Sequence, residues 1–297
     1  MKKLKIGYFA DGPWSHRAFE KIIKNKNIEI AFIVPRTDSS DETLRDYSLK
    51  YNIPYHKGIK VNSRSFYKIA AEYNCDLFVS MSFNQIFKSR IINVPRLRTI
   101  NCHAGKLPFY RGRNILNWVL INDEKEFGIT VHYVDEGIDT GDIILQNTYP
   151  ITDGDNYKTL LETAYENCAE ILYQALLLFI NDDVKPVNQK ELHPIGFYCS
   201  KRSEGSEILD WNQTSREIFN FVRAICYPGP NARTFLNGKE MKINKVIEVK
   251  NAPKYKDKPG SILSKKPFYV KTSDSFVEIA EYDFGGKIRI GDRFETI

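Results

Sequence analysis

With 297 residues the chain has room for one large core and a smaller one, so two domains are expected. Its apolar runs, the longest from Ala175 to Ile180, are too short for a signal-peptide core or a membrane span, which places the protein in the cytoplasm. The formal net charge of +6 comes without a block of like charges, so it signals no nucleic-acid arm and suits an anionic small substrate equally well.

To about residue 185, strand-like apolar runs alternate with helical patterns, the signature of a mainly parallel sheet with helices on both faces. The expected strands are Leu4–Phe9, Ile28–Val34, Asp76–Met81, Thr99–Cys102, Gly128–Val134 and Asp142–Pro150. Ser15 is expected to cap a helix carrying Ala18, Phe19, Ile22 and Ile23 on one face, and Phe66, Ile69, Ala70 and Tyr73 repeat that pattern. The run from Tyr157 to Phe179 predicts a longer helix that closes domain 1–185. Residues 186–206, with Pro186, Pro194 and Gly196, read as a linker laid over the surface. In 207–297, Ile218, Phe219, Val222 and Ile225 mark a short helix, and alternating segments around Asn237-Gly238 predict a hairpin within a small barrel-like β module. Cys75, Cys102, Cys168, Cys199 and Cys226 form no C-x-x-C pair and read as reduced thiols, with no metal site expected.

The chemistry concentrates in Asn101-Cys102-His103 and, further on, Asp139-Thr140-Gly141. On a strand, Asn101 and His103 lie two apart and share one side of the pleat, at the carboxyl end where open α/β sheets bind ligands. Acyl transfer needs a donor for the developing oxyanion, a group to manage the nucleophile's proton, and a charge to hold that group. Asn101, His103 and Asp139 fit these roles, and with the acceptor itself as nucleophile no covalent enzyme intermediate is required. The loop Asp135-Glu136-Gly137-Ile138-Asp139-Thr140-Gly141-Asp142 lacks the order of an EF-hand calcium loop.

Four ordered motifs then carry a resemblance: Asn101-x-His103; Leu107-Pro108-x-Tyr110-Arg111-Gly112; Gly128-Ile129-Thr130-Val131-His132; and Asp135-x-Gly137-x-Asp139-Thr140-Gly141. Together they resemble the 10-formyltetrahydrofolate-dependent formyltransferases. Asp210-Trp211, and Arg223-Ala224 followed by Tyr227-Pro228-Gly229-Pro230, resemble the entry to the C-terminal module of that family's longer members. The resemblance implies a Rossmann-like catalytic domain followed by an OB-like barrel, and a catalytic set of Asn101, His103 and Asp139. It implies a folate donor whose pterin lies near Met81, Phe83 and Ile86 and against the loop of Asp135 and Gly137. Thr130 either bonds near the catalytic set or is an ordinary strand threonine.

The acceptor must be argued from what differs. The chain is too long for the glycinamide ribonucleotide branch, and Val34-Pro35-Arg36-Thr37-Asp38-Ser39-Ser40-Asp41-Glu42 is mildly acidic where the transfer-RNA enzymes carry a basic insertion. Arg111-Gly112-Arg113-Asn114 with Trp118 is similar to the sugar-nucleotide N-formyltransferases. Arg111 and Arg113 are planar forks suited to a pyrophosphate, Asn114 to sugar hydroxyls, and Trp14 with Ser15 opens a helix facing the acceptor; a structural role stays open for each. The expected function is formyl transfer to a nucleotide-linked, dTDP-type amino-dideoxyhexose for O-antigen or other surface polysaccharide, without nucleic acid or membrane partners and with a homodimer left open. The alternatives are a methionyl-tRNA formyltransferase and a non-catalytic folate-binding sensor.

Overall fold

The structure, a computed structural model, describes residues 3–295. Met1, Lys2, Thr296 and Ile297, which the expected domain boundaries include, lie outside the described residues. In chain order the first elements are β1 (Leu4–Ala10), α1 (Gly12–Ile22), β2 (Ile28–Val34), α2 (Thr43–Tyr51), α3 (Arg64–Glu72), β3 (Leu77–Met81), α4 (Ser89–Ile92), β4 (Thr99–His103) and β5 (Arg111–Gly112). There follow α5 (Ile115–Ile121), β6 (Glu126–Tyr133), β7 (Ile143–Pro150), α6 (Tyr157–Ile180), α7 (Gln189–Leu192), β8 (Tyr198–Cys199) and α8 (Ser215–Ile225). The chain ends with β9 (Ala232–Leu236), β10 (Lys239–Glu248), β11 (Tyr269–Lys271) and β12 (Phe276–Asp283).

Two compact units emerge, one of Met1–Gly112, Phe127–Tyr149 and Glu162–Cys199, the other of Arg113–Glu126, Pro150–Leu161 and Ser200–Ile297. The first is built on a six-stranded sheet of order β2-β1-β3-β4-β6-β7. β1 pairs in parallel with β2 and β3, and β3 with β4, whereas β6 runs antiparallel to β4. The sheet is mainly parallel, as the alternation predicts, with β6 antiparallel because it starts from the end at which β4 finishes and no crossover returns the chain to the other end. Strand order reverses between β1 and β3, which sets a ligand crevice outside their carboxyl ends.

Both faces of this sheet are covered. Phe9, Phe32 and Phe78 on one face form an edge-to-face cluster with Phe66 of α3, with Phe9 and Phe78 centroids 5.1 Å apart. On the other, the Tyr8 hydroxyl donates to the Ser15 carbonyl of α1, and the Cys102 thiol lies against the Cys168 carbonyl of α6. The N-cap of α1 is Asp11, whose carboxylate accepts from Gly12 N, with Pro13 following in the first turn. Ser15, the expected cap, is inside the helix because Asp11 already meets the free amide and the cap lies four residues earlier than expected.

The second unit holds an antiparallel sheet of order β11-β12-β10-β9 with α8. Asn237 and Gly238, at φ 52° and 71°, form the two-residue hairpin turn between β9 and β10. Register shifts in β10 and a bridge between Ile262 and Val270 curl the sheet. Trp211 fills its core, stacked on Phe294 at 5.2 Å with its indole N–H donated to the Thr234 hydroxyl at 2.9 Å. Among the described residues no helix is long and apolar enough to cross a membrane.

Candidate active site

The antiparallel pairing of β4 with β6 sets Asn101 opposite His132 and His103 opposite Thr130, and directly opposed residues project to the same face. An array of amide, two imidazoles and a hydroxyl results. After β6 the chain folds back, and Asp139, in the left-handed region at φ 54°, brings its carboxylate to both rings: Oδ2 lies 3.6 Å from His103 Nδ1 and Oδ1 lies 3.4 Å from His132 Nε2. The Gly112 N–H donates to Asp139 Oδ2 at 2.9 Å. Gly141 makes this return possible, since a Cβ there would collide with the Tyr133 carbonyl.

Hydrogen bonding fixes the rings. His103 Nε2 is 2.8 Å from the Tyr110 carbonyl, which can only accept, so Nε2 carries the N–H and Nδ1 faces Asp139. Orientation of His103 thus comes from the backbone of the loop after β4, while Asp139 supplies the charge. His132 Nδ1 lies 2.7 Å from the Tyr133 carbonyl and is likewise an N–H, while its Nε2 sits between Asn101 Nδ2 at 3.3 Å and Asp139 Oδ1 at 3.4 Å. Burial pushes the Asp139 carboxyl up, but the imidazoles of His103 and His132 and the Gly112 amide outweigh it and hold the group well below the ordinary carboxylate range.

Asn101, His103 and Asp139 are brought together. His132, which has no role assigned from the sequence alone, joins them; its alternation with Thr130 is the signal that places it on the same face. Thr130 is fully buried and works behind the rings, donating to the Gly105 carbonyl at 2.7 Å and accepting from Gln146 Nε2 at 2.8 Å, so it braces the loop after β4. It is not a ligand surface. Met81 is 1% exposed, packed near the Tyr8 hydroxyl, and belongs to the core because it ends a strand covered on both faces. Phe83 is half-buried against Phe87, while Ile86 is 62% exposed. Asp135 turns its carboxylate inward, accepting from Gly137 N at 3.0 Å and the Thr140 hydroxyl at 2.6 Å, and so shapes the acidic loop. The loop after β3 reaches this one where Ser89 N donates to Glu136 at 3.3 Å.

Of the expected acceptor residues, Ser15 is fully buried with its hydroxyl donated to the Gly12 carbonyl, which corrects its assignment as a contact residue. Trp14 stands edge-on to Tyr165 of α6 at 4.6 Å. Arg111 is committed to Gln189 Oε1 through Nε at 3.2 Å and Nη2 at 2.6 Å, the structural alternative for that residue. Arg113 and Asn114 are exposed and belong to the second unit, where Asn114 Oδ1 accepts from Arg202 N.

Residues 8–176 match the family model described as formyl transferase, and 202–293 match that of the formyl transferase C-terminal domain. The chain belongs to the formyl transferase family. It is 34% identical to a methionyl-tRNA formyltransferase of Azobacteroides pseudotrichonymphae over 83% of this chain and 78% of that one. It is 30% identical to the methionyl-tRNA formyltransferase of Clostridioides difficile, over 97% and 94%. Its fold is similar to that of an N-formyltransferase from Helicobacter canadensis solved with folinic acid and dTDP-3-aminofucose, with TM-score 0.69, 23% identity, and coverage of 95% of this chain and 100% of that one. This formyltransferase therefore transfers formyl groups, and the array on β4 and β6 lies within the matched catalytic domain.

Proposed function

We propose that this formyltransferase moves a formyl group from 10-formyltetrahydrofolate to the amine of a nucleotide-linked amino-dideoxyhexose, for surface polysaccharide synthesis, at the array of Asn101, His103, His132 and Asp139. Asn101, whose Nδ2 lies 3.3 Å from His132 Nε2, offers an amide N–H to the formyl oxygen as charge develops there. With Nε2 of His103 spent on Tyr110, Nδ1 is the nitrogen left to take the proton of the attacking amine, and Asp139 stabilises the cation that forms. The amine attacks the formyl carbon, the bond from that carbon to the donor nitrogen breaks, the proton taken up by His103 passes to that departing nitrogen, and tetrahydrofolate and a formamido sugar leave. Half-buried Phe83 and exposed Ile86, on a loop tied to the acidic loop through Ser89 and Glu136, fit a flat heteroaromatic donor with apolar surface on one side and backbone polar groups on the other.

The observation that carries the choice of acceptor is the segment after β2, at the carboxyl edge of the sheet. Its own cation, Arg36, is paired with Asp38 at 2.8 Å, and Arg45 and Lys57, which lie beyond it in the chain, pair with its Glu42 at 3.1 and 2.6 Å. The Arg36 guanidinium holds the Asp38 carboxyl at about 2. Such a surface suits a compact dianionic nucleotide sugar better than a polyanion, whose affinity rests on many cations free to displace counterions.

The second reading, methionyl-tRNA formyltransferase, is favoured by the sequence relatives at 34% and 30% identity. Assays with thymidine-, uridine- and guanosine-linked 3-amino and 4-amino sugars, beside filter binding of formylatable tRNA, separate the two. Turnover of one amino sugar with tRNA binding no tighter than nonspecific supports the proposal; failure of the whole panel with tight, salt-sensitive tRNA binding overturns it.

A further inference from the structure

Residues 186–206 read as an irregular linker, yet Gln189 within them is 3% exposed. A buried primary amide must satisfy two donors and two acceptor lone pairs. Gln189 satisfies all four on two different loops. Its Nε2 donates to the carbonyls of Asp139 and Gly141, each at 2.8 Å, and its Oε1 accepts from Arg111 Nε and Nη2 at 3.2 and 2.6 Å.

The neighbouring backbone reinforces this placement. Val187 and Ile143 exchange both hydrogen bonds at 2.8 Å, and Asn188 Nδ2 donates to Asp142 at 2.8 Å, so residues 187–189 are zipped along the end of the acidic loop. On the other side Arg111 and Gly112 pair with Tyr198 and Cys199 of β8. Gly112 is the residue whose N–H holds the Asp139 carboxylate. The Gln189 amide thus spans the gap between the loop that carries the carboxylate and the loop that grips it, and it bonds to the backbone of Asp139 itself.

The geometry points to Gln189 as a positioning residue for Asp139: it fixes the carboxylate against His103 and His132 by clamping the Asp139 and Gly141 carbonyls to the Arg111 guanidinium. This rests on the role given to Asp139 above. It also accounts for the side chain being an amide. A glutamate would keep the pair with Arg111 but set carboxylate oxygens against two carbonyl oxygens, and an arginine or lysine would have no acceptor for Arg111. Arg111 becomes a member of the clamp rather than a phosphate fork.

The test compares Gln189→Glu, which keeps the Arg111 half, with Gln189→Ala, and places each on an Asp139→Asn background. With the full chain, the expected result is a fall in kcat of about 10- to 100-fold in both single variants while KM for either substrate changes less than about threefold, and no further loss on the Asp139→Asn background. Hydrogen exchange at the Gly112 amide, which reads the carboxylate's grip without substrate, is expected to quicken about tenfold relative to Val79 in the core of β3. A kcat within about twofold of the parent, a loss that multiplies with that of Asp139→Asn, or unchanged Gly112 exchange overturns the inference. Should Asp139→Asn itself turn over normally, the reading of Asp139 as catalytic fails, and Gly112 exchange alone then decides whether Gln189 places the carboxylate.

Discussion

Asp139 concentrates the electrostatics of the site in one carboxylate that is 12% exposed and lies between two imidazoles. Burial opposes its ionised form and the rings with Gly112 favour it, the net being a carboxyl held below its ordinary value. An unfolded aspartate titrates near about 4, so the stability gained from Asp139 is complete above that pH and is lost as pH falls through the lower folded value. Urea denaturation of the parent and Asp139→Asn should therefore show a stability difference that is constant from neutral pH to about 5 and shrinks below about 4; a difference that grows towards acid would contradict it. Gly105 makes a second claim at this scale. A Cβ there would overlap both His103 Nε2 and the Tyr110 carbonyl, the two atoms whose hydrogen bond sets the ring. Gly105→Ala should cost about 1–3 kcal/mol of stability and lower kcat more than KM, because the ring is turned rather than removed. Equal kcat in the two proteins would show that the backbone does not orient His103.

Among the elements, α8 organises the second unit. Its Arg223 is 6% exposed and donates to the Thr152 carbonyl at 2.8 Å and to Asn220 Oδ1 at 3.0 Å, while Asn117 of α5 donates to the Ala224 carbonyl at 2.6 Å. Removing Arg223 leaves buried acceptors unpaired, and Arg223→Ala should destabilise this unit by about 2–4 kcal/mol in chemical denaturation; a change below about 0.5 kcal/mol would contradict the account. The strands of the first sheet were legible to within two residues at their ends because each is a short apolar run bounded by polar turns, and the Asn237-Gly238 hairpin because its turn type demands those residues. The antiparallel direction of β6 was not, since pairing direction depends on where the chain re-enters the sheet. Asn101 and His103 were legible as a same-face pair. Gln189 was hidden because its amide N–H groups go to backbone carbonyls, which leave no mark in a sequence, and Arg111 looked like a ligand fork because its charge, unlike its partner, is visible there. Ser15 and Met81 illustrate the same limit: the residue type suits contact with a ligand, but burial removes it.

For the whole molecule, the contest is between a compact nucleotide sugar and a polyanion. The net charge of +6 fits either one, so the placement of charge decides rather than its sum. A site that reads one nucleotide should show KM for the acceptor varying only weakly with salt, whereas a polyanion acceptor gives a steep linear fall of log affinity with log salt. The decisive measurement is transfer of labelled formyl from 10-formyltetrahydrofolate to a purified nucleotide-linked amino sugar by the parent protein and by His103→Asn. The expected result is a labelled formamido sugar from the parent and a rate lowered about 100- to 10,000-fold in the variant. Near-normal turnover in His103→Asn would contradict the assigned chemistry, and labelled methionyl-tRNA in place of labelled sugar would contradict the acceptor.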